Sequence, residues 1–100
     1  MRATAQVVPA RSLVVMVVSE AQHPRSKVLV VDSDDSRRRS VARMLTQHRC
    51  EVHTARGLGA ARHLLAAGAF DVVFAQMRLE DASGLNVLTE VRALDQRVPV

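Results

Sequence analysis

Aromatic side chains are almost missing from this chain: it has no Trp and no Tyr, and Phe70 and Phe74 are its two aromatics. A core must therefore be filled by Val, Leu, Met and Ala, for which a hydrophobic fraction of 48% is ample. The same scarcity removes the aromatic platforms on which proteins stack the bases of single-stranded nucleic acids. Lysine is scarce too, with Lys27 the one lysine among 14 basic residues. The arginines are scattered apart from Arg37, Arg38 and Arg39. A net charge of +4 spread in this way does not form a nucleic-acid footprint. A single cysteine, Cys50, excludes an internal disulfide framework and suits a reducing cytoplasm. Long apolar runs are also absent. Leu13 to Val18 is six residues, against the roughly 20 that a bilayer span needs. A secretory signal is the weaker alternative for that run, because it is short and no clean small-residue cleavage site follows Val18.

What is present is organised around Lys27-Val28-Leu29-Val30-Val31-Asp32-Ser33-Asp34-Asp35-Ser36. Four apolar residues, three of them β-branched, stop abruptly at carboxylates. A short apolar run of this kind predicts a strand buried on both faces of a parallel sheet. Asp32 then stands at its carboxyl end, where open α/β sheets bind their ligands. Acids in place of phosphate-cradling glycines favour a hard cation such as Mg²⁺ over a free phosphate. Asp32 and Asp34 are the candidate ligands. The plainer account of Asp32, Asp34 and Asp35 is a charged helix start.

One hundred residues fit one domain. Residues 1–26 read as an extension, expected to be disordered and to contribute little to the fold, with Ser19 to Ser26 as linker and Met16 as an alternative start. Residues 27–100 alternate element types. A helix capped by Ser33 or Asp34 is predicted over 36–48, with Val41, Met44 and Leu45 on one face. An edge strand follows over 51–55. Gly57 and Gly59 open a second helix carrying Leu58, Ala61, Leu64 and Leu65, and Gly68 stops it. A third strand, 71–75, ends at Gln76. After a loop, a third helix from 84 to about 94 buries Leu85, Leu88, Val91 and Leu94, and a fourth strand starts at 98–100. Alternation at this spacing predicts right-handed βαβ units.

Three stretches together carry a resemblance to the receiver domain of bacterial two-component response regulators: Val28 to Asp32 followed by Arg38; Phe70 to Ala75; and Met77-Arg78-Leu79 with Ser83-Gly84-Leu85 and Val87-Leu88. The resemblance implies a flavodoxin-like α/β fold, incomplete at the carboxyl end of this sequence. It also implies a cytoplasmic place in a phosphorelay, with a histidine kinase or an output domain as protein partner. Gln76 falls on the phosphoacceptor position, and a carboxamide cannot form an acyl phosphate. Asp32 and Ser33 replace the usual acidic pair, which leaves Asp32, Ser33 and Asp34 as the acidic pocket and any Mg²⁺ site weak. The threonine and lysine that read the phosphoryl group fall beyond Val100. Such a pseudo-receiver acts by protein contact and is not an enzyme. An apolar third strand left at an open edge adds a tendency to self-associate.

A second resemblance belongs to another class. Asp32-Ser33-Asp34 after an apolar strand is similar to the D-x-D motif of haloacid-dehalogenase-type phosphatases, with Asp32 as nucleophile and Asp34 as general acid/base. The arginine run that follows leaves no glycine-containing loop to close over a substrate.

Overall fold

The structure, a computed structural model, describes residues 4–7, 13–17, 26–68 and 70–97. Five strands and three helices follow in the order β1 (Thr4–Val7), β2 (Leu13–Val17), β3 (Lys27–Val31), α1 (Asp35–Gln47), β4 (Glu51–Ala55), α2 (Leu58–Ala67), β5 (Val72–Gln76) and α3 (Gly84–Arg97). They make one sheet in the order β1-β2-β5-β3-β4. β3 runs parallel to both β4 and β5, so the predicted parallel core is present with β4 at an edge. The 98–100 strand and most of the 19–26 linker lie outside the described residues.

The crossovers dictate the layers. The chain leaves β3 for β4 on one side, then passes back across β3 to β5 on the other. Two right-handed connections in opposite directions put α1 and α2 on opposite faces. α3 packs beside α2. Strand alternation sends Leu29, Val31, Val73 and Ala75 toward α2 and α3, where they meet Ala61, Leu65, Phe70, Val87 and Val91 in the main core. Val28 and Val30 are buried on the face that α1 covers. That burial on both faces is why β3 reads as an unbroken apolar run.

Two helix faces differ from the sequence expectation. α1 has no fully buried residue: Val41 and Leu45 are half-buried, while Met44 is 53% exposed. In α3 the buried pair is Val87 and Val91, and Leu85 is exposed. Helical spacing allows either stripe. The first turn of α3 decides, because Gly84 is pressed against the end of β5. A Cβ at Gly84 would lie 2.6 Å from the Gln76 carbonyl oxygen. This close approach fixes the helix rotation and turns Leu85 outward. The side chain of Leu94 lies outside the described residues.

The amino-terminal segment also differs from the disordered extension read from sequence. β1 pairs antiparallel with β2, and β2 pairs antiparallel with β5, from Leu13 opposite Gln76 to Val17 opposite Val72. The apolar run Leu13 to Val17 has strand propensity, and β5 offers it an unfilled row of backbone donors and acceptors.

Candidate functional site

The carboxyl ends of β3, β4 and β5 converge on three loops. β3 hands its chain to α1 through Asp32, Ser33 and Asp34. The Asp32 amide donates to the Ala55 carbonyl (3.0 Å), so the β3–β4 ladder continues to the site. Asp34 is the N-cap of α1: its carboxylate accepts from the Arg37 amide at 2.8 Å. Asp35 adds negative charge in the first turn, as the helix dipole favours.

Asp32 is almost fully buried, 2% exposed, and its carboxylate is engaged by its own chain. Oδ1 accepts from the Asp34 amide (2.9 Å) and from Arg37 Nη2 (2.9 Å), while Oδ2 accepts from Arg37 Nε. The two forks meet side by side, the arrangement that makes Arg–carboxylate pairs strong. The Asp32 hydrogen bond raises the Arg37 guanidinium further above its ordinary value, keeping it charged at every accessible pH. Arg38 goes elsewhere: Nη1 donates to the Asp32 carbonyl (2.9 Å) and Nη2 to Asp35 (2.6 Å). That bond, followed by the charges of Arg38 and Arg56, holds the Asp35 carboxyl below its usual range.

By itself the run Arg37 to Arg39 reads as solvated surface with Arg38 turned toward the acids; in the structure Arg37 holds the Asp32 carboxylate, for a reason rooted in helix geometry. Arg37 is the third helical residue after the Asp34 cap, and side chains there lean back over the helix start. Arg38, one position on, is rotated toward Asp35.

Ser33 ties the loops together. Its hydroxyl donates to the Arg56 carbonyl after β4 (2.6 Å) and accepts from the Glu80 amide after β5 (2.9 Å). Gln76 ends β5, and the parallel register that pairs Val31 with Ala75 places it beside Asp32. Among the described residues no hydrogen bond joins Gln76 to Asp32; Arg37 and the Asp34 amide hold the Asp32 oxygens.

Asp81 is the residue of this region that sequence reasoning missed. The N-cap position of α2 is Gly57, which has no side chain to cap the helix. Asp81, 23 residues beyond Leu58, does so by accepting from the Leu58 amide (2.9 Å) and the Gly59 amide (3.1 Å). A Cβ on Gly57 would lie 2.5 Å from the Asp81 carboxylate, so the glycine makes room for this cap. Arg56, Gly57, Ala60, Glu80 and Asp81 line an open pocket of about 220 Å³ there. No local signal in the sequence marks Asp81, because its partners come from another loop.

The Leu58 amide, then the Gly59 amide, lower the Asp81 pKa below the ordinary carboxylate value. A depressed folded-state pKa contributes stability that is present above the unfolded value, near 4, and lost as pH falls through the folded one. Asp81→Ala is therefore expected to be less stable than the parent at pH 7 and to approach it in acid. Thermal melts at neutral pH and near pH 2 check this; a difference that grows on acidification would contradict the cap.

Among the described residues, no group of three or more His, Cys, Asp or Glu side chains is gathered to hold a metal ion. No described helix is long and apolar enough to cross a membrane.

Residues 28–100 match the family described as the response regulator receiver domain. Among curated proteins, the chain is 33% identical over 76 residues to the response regulator protein PilR of Pseudomonas aeruginosa, an alignment covering 76% of this chain and 17% of that protein. It is 32% identical over 75 residues to the regulatory protein AtoC of Escherichia coli, covering 75% of this chain and 16% of that one. The chain thus spans about a sixth of the length of these curated relatives. No solved structure gives a significant match. Parallel strands β4-β3-β5 with helices on both faces, an acid-rich turn after β3 and the match over 28–100 lead to one conclusion: the chain belongs to the response regulator receiver domain family.

Proposed function

We propose that this receiver domain signals by protein contact without being phosphorylated. One observation carries the reading: the strand end beside Asp32 bears Gln76. Phosphoryl transfer to a protein needs a nucleophile at that point, and the amide nitrogen of a carboxamide, its electron pair delocalised into the carbonyl, is not one. The charge of Asp32 is balanced within the chain by Arg37, which supplies the positive charge that a divalent cation would otherwise bring. Asp34 is committed to capping α1 and Ser33 to bridging loops, so this donor set does not fit Mg²⁺, which takes carboxylates and keeps its waters. Arg37 also blocks the phosphatase reading, because a nucleophilic Asp32 would have to leave a two-point ion pair.

The domain is then not an enzyme, and its state is read by a protein partner such as a histidine kinase or an output domain, in the cytoplasm. Incubation with acetyl phosphate and Mg²⁺, followed by intact-mass measurement, tests this. No hydroxylamine-sensitive phosphoryl group is expected. A phosphoryl group mapped to Asp32 would return the phosphatase mechanism, and one on any other carboxylate would show that the acceptor lies away from Gln76.

A further inference from the structure

The loop after β5, residues 77–83, is closed on itself at its base. The Gly84 amide donates to the Met77 carbonyl (3.0 Å) and the Leu79 amide to the Ala82 carbonyl (3.1 Å), while Arg78 and Ser83 form an antiparallel bridge. Its tip is fastened outward at two adjacent residues. The Glu80 amide donates to the Ser33 hydroxyl, and the Asp81 carboxylate accepts from the first two amides of α2. Fastenings to two different elements fix the orientation of the tip as well as its place.

Ser33 reaches all three loops of the site. It stands in the first, donates to the Arg56 carbonyl in the second (2.6 Å) and accepts from Glu80 in the third (2.9 Å). That double role needs a hydroxyl, which donates and accepts at once. An ionised carboxylate at this position would only accept, and it would set an oxygen against the Arg56 carbonyl oxygen. The residue that replaces an acid of the usual pair, and so weakens a metal site, is therefore one able to join the loops.

We propose that Ser33 is the positioning residue that locks the 77–83 loop in one conformation, so that the shape of the loop does not await a phosphoryl group. The proposal rests on the reading of this domain as one that signals without phosphorylation. Ser33 acts on the loop through Glu80, and through the loop on the Asp81 cap of α2.

The test uses the full chain and the hydrogen exchange of single amides followed by NMR. In the parent, the Glu80, Leu58 and Gly59 amides should be protected, and residues 77–83 should give one set of signals. Ser33→Ala should speed exchange at Glu80 by about tenfold relative to the amides of β3, the equivalent of one lost hydrogen bond. Leu58 and Gly59 bond to Asp81 and not to Ser33, yet they should follow Glu80 if the loop moves as a unit. Ser33→Thr keeps the hydroxyl and should restore all three amides. A change confined to Glu80 would mean a single hydrogen bond and no lock, and unchanged rates would mean that Ser33 holds nothing; either overturns the proposal. Should Ser33→Ala fail to fold, the parent decides: free-peptide exchange at Glu80, or two sets of signals over 77–83, would overturn it. The acetyl phosphate assay fails separately. A phosphoryl group gained there removes the reading of the domain and leaves the protection of Glu80 intact, whereas an unprotected Glu80 removes the lock alone.

Discussion

Leu29→Ala is expected to lower unfolding stability by about 3 kcal/mol, within the range for fully buried Leu→Ala changes. Leu29 has no exposed surface and lies in the central parallel strand, inside the cluster that joins the sheet to α2 and α3. The transfer term alone accounts for roughly 2 kcal/mol, and the cavity adds the rest because rigid neighbours cannot collapse into it. Val31, Val73 and Val87 are such neighbours: each is almost wholly buried, and two are held by β ladders. Small domains have only about 5–15 kcal/mol to lose, so the variant should unfold at clearly lower urea. Met44→Ala supplies the contrast. Met44 is 53% exposed on α1 and should cost less than about 0.5 kcal/mol. Equal losses at the two positions would mean that the core does not lie between the sheet and α2 and α3.

Arg37→Ala is expected to cost about 2 kcal/mol, the penalty for leaving a buried charged acceptor short of its partners. The effect should be asymmetric. Removing Arg37 strands the Asp32 carboxylate, which is 3% exposed and keeps only the Asp34 amide. Asp32→Asn instead leaves the Arg37 side chain, 51% exposed, to water and retains an acceptor for Asp34; its cost should stay below about 1 kcal/mol. The same asymmetry separates an arginine acting as the pocket's cation from one that merely packs. In Arg37→Ala the freed carboxylate gains from any hard cation, so millimolar Mg²⁺ should raise its melting temperature through ordinary binding linkage. The parent should not respond. A parent that is stabilised by Mg²⁺ as much as the variant would remove the idea that Arg37 takes the cation's place.

Much of the core was legible because its signals are local. Four apolar residues ending at an acid mark β3, and their meaning needs only the rule that strands buried on both faces do not alternate. The 51–55 strand, the glycines that bracket α2 and the strand ending at Gln76 follow from propensity and turn chemistry in the same way. The cap at Asp34 is a contact across three residues, and helix-start rules foresee it. Asp32 and Gln76 could be placed at neighbouring strand ends because residue spacing and the resemblance to receivers agree on the register.

The remaining features depend on partners that only the folded chain brings together. Asp81 caps a helix that starts 23 residues earlier, and Ser33 bonds Glu80 across 47 positions. No periodicity encodes such pairs. The choice between Arg37 and Arg38 turns on about 100° of helix rotation, which the sequence leaves open until α1 is docked on the sheet. In α3, the press of Gly84 against the Gln76 carbonyl selects Val87 and Val91 over Leu85. β2 is the largest case. Leu13 to Val17 has the composition of a strand, but a strand forms only where an edge accepts it, and the edge of β5 exists only once the parallel core has assembled.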